Sequence, residues 1–420
     1  MFFIEHLIKK IKYEQSVEYK RAYMQAESHS DDQLLLFLED KKALVYTKEK
    51  DILTRLYTTG CSHYFCQGEL CGCSMCNLHI DDYNTIAKMQ VLRKRSPSMY
   101  SDIAFQMAQK ARKDIKERAG IEYLFAYDCF DAVEVPLQLW ERLLKKKSLF
   151  YRTPLVIQME GRADSVSYEK LKFIIGQISP SQLSVRLGVE CGDEWIRNHW
   201  LNKKVSNQQI IEAVDVCKKL NVKVSANILF GIPGFTEEQS INHFVKSVIW
   251  LDSLNVDYIT CSVLVNKPGT LQGLIYEVYS EHAGFPWLFS LLEALRICSE
   301  SIDQFYNKII FGEYDGAYFH GKNAFAYNAS IECPCRLNIV NDLILQKDGL
   351  QKHLCAALDK MIKDPCYIHY RLCLEKEREQ GDELQVLKRL VNTLSRYLWK
   401  EDAEVYINMF LEEQKLLYQH

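Results

Sequence analysis

Strand-like and helix-like segments alternate between residues 52 and 263, and this alternation restricts the fold more than any other feature of the sequence. Apolar runs typical of strands cover residues 52–58, 121–127, 154–159, 183–189, 222–229 and 257–263. Amphipathic segments of helical period cover residues 101–118, 137–147, 168–178, 207–220 and 237–254. Such alternation indicates β-α-β units and a parallel sheet. Because six strands are too few for a closed eight-stranded barrel, the sequence predicts an α/β fold with a partial (β/α)6 TIM-like barrel.

The alternation does not extend to either end of the chain. Residues 1–50 are charged and helical in pattern, and Asp31-Asp32 before a leucine run is typical of a capped helix start. After Gly269 the rhythm stops, and the remaining sequence has mostly helical patterns. We therefore predict a helical N-terminal extension at residues 1–50, the barrel at residues 51–284 and a mainly helical C-terminal region at residues 285–420.

Composition disfavours several classes of protein. The net charge of −3 gives no general basic excess, so a nucleic-acid partner would need a local patch, for which residues 93–95 and 145–147 are candidates. The N-terminus carries Glu5 early, unlike a signal peptide, and no stretch is apolar enough to span a membrane. The fifteen cysteines are odd in number and clustered, which disfavours a disulfide framework. We therefore expect a protein of the reducing cytoplasm.

Five of the cysteines lie within sixteen positions, directly after the first predicted strand, in the sequence TTGCSHYFCQGELCGCSMCNLHID. They are Cys61, Cys66, Cys71, Cys73 and Cys76. Thiolates that converge from one loop suit a metal ion or an iron–sulfur cluster. The alternative is a zinc-stabilised α/β binding module that uses Cys71, Cys73, Cys76 and one further ligand. A position at the C-terminal face of a barrel, where barrel enzymes keep their active sites, favours a catalytic cluster.

Three further segments come at the ends of predicted strands. Glu190 ends the fourth strand, and Arg162 follows the third strand. Residues 230–236 read FGIPGFT after the fifth strand, and the two glycines allow a tight turn whose backbone can approach a ligand. Since the C-terminal ends of parallel strands meet at one edge, we expect these groups to lie near the cysteine loop.

In this order, the cysteine loop, the Gly-Val-Glu strand end and the Gly-Ile-Pro-Gly turn resemble the radical S-adenosylmethionine (SAM) superfamily. The usual C-x3-C-x2-C spacing of that family is replaced here by Cys61, eleven residues, and then Cys73-x2-Cys76. A stretched first spacing resembles the branch of the Elongator catalytic subunit and, more closely, the radical SAM partner of archaeosine synthase. The resemblance covers about residues 50–300.

The resemblance implies a set of site residues. Cys61, Cys73 and Cys76 are expected to hold a [4Fe–4S] cluster whose fourth iron binds SAM. Met75 is expected near the adenine of SAM. The remaining SAM-contacting residues implied by the resemblance are Glu190, Gly231, Pro233, Gly234 and Arg162, the last opposite the SAM carboxylate.

The roles of the other cysteines stay open. Cys66 and Cys71 are alternative cluster ligands, or they bind a second metal with Cys333 and Cys335, or they are inert. Candidate groups facing the substrate lie at strand ends or within strands: Tyr127, Asp128, Cys129, Asn227 and Cys261.

The resemblance also implies an activity and its partners. A low-potential donor, flavodoxin or ferredoxin, is expected to reduce the cluster, and SAM is cleaved to a 5′-deoxyadenosyl radical that removes hydrogen from a substrate. The closest resemblance suggests a tRNA base of the archaeosine type. A free nucleoside or another small molecule is the alternative, because the chain has no general basic excess.

Overall fold

The computed structural model of the protein describes residues 1–48, 51–66, 69–77, 79, 82–115, 122–125, 128–145, 156–279, 287–311 and 350–417. Its central element is an eight-stranded sheet in which the strands follow one another in chain order. The first strand, β1, pairs antiparallel with its neighbour, and the other seven are parallel. The eight strands are β1 Leu44–Lys48, β2 Asp51–Arg55, β5 Glu122–Phe125, β6 Val156–Gly161, β7 Leu183–Glu190, β8 Lys223–Phe230, β9 Tyr258–Val263 and β10 Ile309–Phe311. Two short strands, β3 Phe65–Cys66 and β4 Glu69–Leu70, form a separate hairpin.

Helices follow most of the parallel strands and also form both terminal regions. The N-terminal helices are α1 Phe3–Ile11, α2 Tyr13–Ser28 and α3 Asp31–Glu39. Those of the barrel are α4 Tyr83–Arg95, α5 Pro97–Ile115, α6 Leu137–Leu144, α7 Tyr168–Ile175, α8 Asn207–Lys219, α9 Glu237–Ser253 and α10 Leu271–Tyr279. The later ones are α11 Leu288–Ser301, α12 Phe305–Lys308, α13 Leu350–Lys363, α14 Pro365–Arg378, α15 Glu383–Trp399 and α16 Ala403–Leu417. Among the helices that the structure describes, none has the length and apolar character of a bilayer span.

The two faces of the parallel sheet differ in chemistry. Successive residues of a strand point to opposite faces, and residues paired across parallel strands share a face. Glu160, Arg186 and Ser225 are paired in this way, so one face carries a row of polar groups. Met159 and Val185 are paired on the opposite face and belong to the main hydrophobic core. The helices therefore cover an apolar outer face, and the inner face is polar.

The predicted partial (β/α)6 barrel is confirmed, because the six predicted strands correspond to β2 and β5–β9. The sequence missed β1 and β10. β10 has three residues, too few for any periodicity to show. Among the described residues no pairing joins β1 to β10.

The terminal helices cover one side of the barrel near the ends of β7 and β8. A second hydrophobic core joins Phe3 and Leu7 of α1 to Trp200, Ile232 and Leu390 of α15. Trp200 follows β7 and Ile232 follows β8. The predicted domain boundaries at residues 50 and 284 stay predictions, and both fall outside the described residues.

Candidate functional site

The cysteine loop begins where β2 ends, and its first residues are fixed by hydrogen bonds. Thr58 Oγ1 donates to the buried carboxylate of Glu134 at 2.9 Å, and Gly60 N donates to Thr58 Oγ1 at 3.2 Å. Thr59 N donates to the Tyr100 hydroxyl at 3.2 Å. Gly60 has φ of +73°, a left-handed conformation that glycine adopts without steric cost. The strand ends at Arg55 rather than at residue 58, and these contacts hold the residues directly before Cys61.

The long spacing between Cys61 and Cys73 is an inserted hairpin. Within it β3 pairs with β4, and Cys71 N donates to Tyr64 O at 2.8 Å, which extends the pairing by one step. The hairpin returns the chain to its starting point, and Cys73 is close enough to Cys61 for the two thiols to interact electrostatically. Cys66 is exposed on the hairpin, and its thiol shares a hydrogen bond with that of Cys71.

The second half of the loop is held by the segment that follows β7. Ser74 N donates to Leu201 O and Ser74 Oγ donates to Trp200 O, both at 2.9 Å. Asn202 Nδ2 donates to Gly72 O at 2.7 Å. Because these bonds join the ends of β2 and β7, the loop lies at the C-terminal edge of the parallel sheet, where the strand order predicts an active site.

Two cations lie beside the thiols. Burial raises the pKa of the Cys61 and Cys73 thiols. Arg162 opposes this increase at both cysteines, and Lys203 opposes it at Cys73. Positive charge at this place favours the thiolate form that ligates metals.

The donors at the site are cysteine thiols of one loop. The Cys73 thiol interacts electrostatically with those of Cys61 and Cys76. Among the described residues, no three Cys, His, Asp or Glu side chains are grouped closely enough to hold a single metal ion. Cysteine thiolates are the ligands that hold four-iron clusters, so these three residues fit such a cluster in their chemistry.

Glu190 lies at the last position of β7 in an unusual backbone conformation. Its φ is +66°, and the strand register shifts between Gly188 and Glu190. Lys203 Nζ donates to Glu190 Oε1 at 2.8 Å, and the two side chains are only 10% and 13% exposed. A Cβ at Gly188 would lie 2.5 Å from Lys203 Nζ, so the absence of a side chain there makes room for the ion pair. The Glu190 carboxylate interacts with Cys73.

Arg162 follows β6, and its guanidinium pairs with a carboxylate two residues further along the chain. Its guanidinium donates to the Asp164 carboxylate at 3.0 and 3.1 Å, a bidentate pair. The backbone N of Arg162 donates to Asp128 Oδ1 at 3.3 Å. Burial lowers the pKa of the Arg162 guanidinium, but Cys73 and Asp164 outweigh burial and raise it. Arg162 is therefore a charged group beside the cysteine loop, and its contact with SAM stays a prediction.

The turn after β8 has the shape that the sequence indicates. Gly231 and Gly234 have φ of +89° and +78°. Trp200 Nε1 donates to Pro233 O at 2.8 Å, and Thr236 caps α9 through the amide of Gln239. A Cβ at Gly234 would overlap Leu390 of α15. The Leu390 side chain therefore occupies the space beside Gly234 that a side chain at this position would need.

The other predicted residues lie in varied surroundings. Met75 is half-buried and contacts the second hydrophobic core, and its contact with adenine stays a prediction. Cys333 and Cys335 lie outside the described residues, as does Tyr127. Asp128 is buried, which raises its pKa to about 6, and it accepts a hydrogen bond from Ser165 Oγ at 2.5 Å.

Three candidate substrate-facing residues are buried or hydrogen-bonded within the fold. Cys129 and Cys261 belong to the main core. Asn227 Oδ1 accepts a hydrogen bond from Arg186 Nε at 2.6 Å, and Arg186 Nε lies 3.7 Å from Glu160 Oε1. Arg186, Glu160 and Asn227 therefore form a polar group on the inner face of the sheet.

Sequence reasoning missed Lys203 and Asn202, whose side chains connect the segment after β7 to the site. Neither lies in a motif or at a strand end, and only the fold brings them to Glu190 and to the cysteine loop. The asparagine has φ of +53°, which indicates a special turn but is not visible in a sequence pattern.

Comparison with known proteins supports the sequence resemblance. No family model matches the chain. The chain is 24% identical over 271 residues to an uncharacterized protein of Methanocaldococcus jannaschii, a match that covers 64% of this chain and 70% of the relative. It is 23% identical over 234 residues to archaeosine synthase subunit beta of Methanosarcina acetivorans, which covers 54% of this chain and 62% of that protein.

One solved structure that matches the chain is that of the radical S-adenosylmethionine methyltransferase TsrM from Kitasatospora setae, with tryptophan and a SAM analogue bound. It has a TM-score of 0.41 and 10% identity, and the match covers 66% of this chain and 56% of that protein. Structural similarity at this level gives no information about the activity of this chain.

The resemblance of the chain to the radical SAM superfamily is confirmed. The zinc-module alternative is not favoured. The chain is similar to archaeosine synthase subunit beta over less than two thirds of that protein's length.

Proposed function

We propose that the protein is a radical SAM enzyme that holds a [4Fe–4S] cluster through Cys61, Cys73 and Cys76. The observation that carries the proposal is the meeting of the cysteine loop with charged groups from two other strand ends. Arg162 follows β6, Glu190 ends β7 and Lys203 comes after it, and all three side chains interact electrostatically with Cys73. Cysteine thiolates beside cations at the C-terminal edge of a parallel sheet suit a catalytic cluster.

When bound, the cluster and SAM supply reductive cleavage of SAM and a 5′-deoxyadenosyl radical that removes hydrogen from the substrate. The chain's own groups bind and orient the methionine end of SAM. Glu190 offers a carboxylate to an ammonium group, while Lys203 and Arg162 offer cations to a carboxylate. The turn at residues 231–234 and the thioether of Met75 provide contacts for the nucleoside end.

The inner face of the sheet indicates the kind of substrate. Arg186, Glu160 and Asn227 present a cation, a carboxylate and an amide on that face. Polar side chains that line a binding site favour a ligand that forms hydrogen bonds with them. We therefore propose a polar small molecule or nucleoside as the substrate. Similarity to archaeosine synthase subunit beta supports a base of tRNA as the specific case.

The proposal includes a reducing environment and an electron donor. Every cysteine among the described residues is a free thiol, as expected of a cytoplasmic protein. We propose a flavodoxin or a ferredoxin as the electron donor. The reduction potentials of iron–sulfur clusters in proteins extend down to about −700 mV, so reduction of the cluster requires a low-potential carrier.

Anaerobic purification tests the proposal. A brown protein that absorbs near 400 nm and contains iron and sulfide supports the enzyme, whereas a colourless protein that contains only zinc contradicts it. The loaded protein is then incubated with SAM and either tRNA or a metabolite extract. Transfer of substrate deuterium into 5′-deoxyadenosine identifies the substrate fraction.

A further inference from the structure

Lys12, which links α1 to α2, is buried behind the cysteine loop. The residue is 1% exposed, although lysine is among the residues that are least often buried. Its Nζ donates to Cys71 O at 2.7 Å and lies 3.5 Å from Cys73 O. The same ammonium lies 4.1 Å from the centre of the Tyr64 ring, a cation–π contact. Lys12 thus contacts the backbone of the loop at the proposed cluster ligand Cys73 and two residues before it.

Two backbone carbonyls and one ring do not fully replace the water that an ammonium loses on burial. A buried cation at this place therefore requires negative charge nearby. A loaded cluster with three thiolates is anionic and would supply it permanently.

The rest of the N-terminal extension holds the same hairpin from the outside. Lys9 and Lys20 form ion pairs with Glu69 of β4, at 2.8 and 3.3 Å. Leu70 N donates to Ser16 Oγ at 3.3 Å. These contacts reach the hairpin but not the ligand positions, whereas Lys12 reaches the backbone of Cys73.

We propose that Lys12 is a positioning residue for the cluster: it fixes the backbone at Cys71 and Cys73 and supplies a buried positive charge that raises the reduction potential. The inference rests on the proposed function. It also makes the N-terminal extension part of the cluster site rather than a separate module.

The charge has a predictable consequence. Reduction adds one negative charge to the cluster, and a nearby buried cation stabilises the reduced form more than the oxidised form. Lys12→Met keeps the length and apolar stem of the side chain but removes the charge. At a fixed potential the ratio of reduced to oxidised cluster should fall on the order of tenfold, which corresponds to a decrease of about 59 mV in the potential.

The test is a redox titration of reconstituted protein, followed by electron paramagnetic resonance of the reduced cluster. Lys9→Met is the matched control, because Lys9 contacts the hairpin through the exposed carboxylate of Glu69, whereas Lys12 donates to the backbone carbonyls of the loop. Wild-type protein and Lys9→Met should share one potential, and Lys12→Met should titrate lower. Equal potentials in all three proteins overturn the inference.

A second measurement decides the case in which Lys12→Met binds no iron. The apo forms of Lys12→Met and Lys9→Met are compared by thermal unfolding and by the alkylation rate of Cys73. Equal melting temperatures with faster alkylation in Lys12→Met support a local positioning role. A lower melting temperature without a change in alkylation overturns it. If wild-type protein itself acquires no iron–sulfur cluster, the proposed function fails instead, and that result is distinct.

Discussion

The Glu190–Lys203 pair allows a quantitative prediction for the variant Lys203→Met. At 2.8 Å and an effective dielectric constant of about 20, the Coulomb attraction is about 6 kcal/mol before desolvation is subtracted. Because both side chains are nearly buried, the variant leaves an uncompensated carboxylate, and removal of one partner of such a pair costs about 3–5 kcal/mol. Because both groups keep some exposure to solvent, we expect the free energy of unfolding to decrease by about 3 kcal/mol, the lower end of that range.

A double-mutant cycle isolates the pair from other effects of each substitution. Lys203→Met, Glu190→Gln and the double variant are unfolded in urea as apo proteins, with tryptophan fluorescence as the signal and changes in midpoint as the measure. The double variant should be more stable than the sum of the two single losses implies, by about 1–3 kcal/mol. A coupling energy below about 0.5 kcal/mol would refute the idea that the ion pair holds the end of β7.

Three further predictions concern the cluster ligands and two titratable groups, His243 and Glu377. Cys73→Ala should lose iron and SAM cleavage, while Cys66→Ala should keep much of both in iron analysis and 5′-deoxyadenosine chromatography; equal loss in Cys66→Ala contradicts the ligand assignment. Burial lowers the pKa of His243, but its hydrogen bonds, including that to Glu383 at 2.7 Å, raise it to about 9. Because this is above the unfolded value of about 6.5, the stabilisation is complete below about pH 6.5 and is lost as the pH rises through about 9. The melting temperature of Glu383→Gln should therefore change less over that range than that of wild-type protein, and parallel curves would exclude the pair as the cause. Burial raises the pKa of Glu377 to about 7, so its contribution is lost as the pH rises through about 7, and Glu377→Gln should raise the melting temperature at about pH 8.5 but not at about pH 5.

Much of the fold could be predicted because local sequence patterns, such as hydrophobic periodicity and helix-capping residues, specify its helices and strands. The strand at 183–189 and the helix at 207–220 match β7 and α8 within one residue at each end. The helix also carries its own start signal, since Ser206 and Gln209 form a capping box. By contrast, β1 is defined by its antiparallel pairing with β2, and no local sequence pattern predicted that pairing.

The sequence by itself determined the parallel strand order, the cysteine loop after β2 and the glycine turn after β8, because periodicity and turn chemistry act between residues near in the chain. Tertiary structure decided which charges meet at the site. Lys12 contacts the carbonyl of a residue 59 positions away, and Asn202 contacts one 130 positions away. Such contacts depend on how helices and loops pack against the sheet, and the identity of a lone lysine or asparagine does not reveal its distant partner.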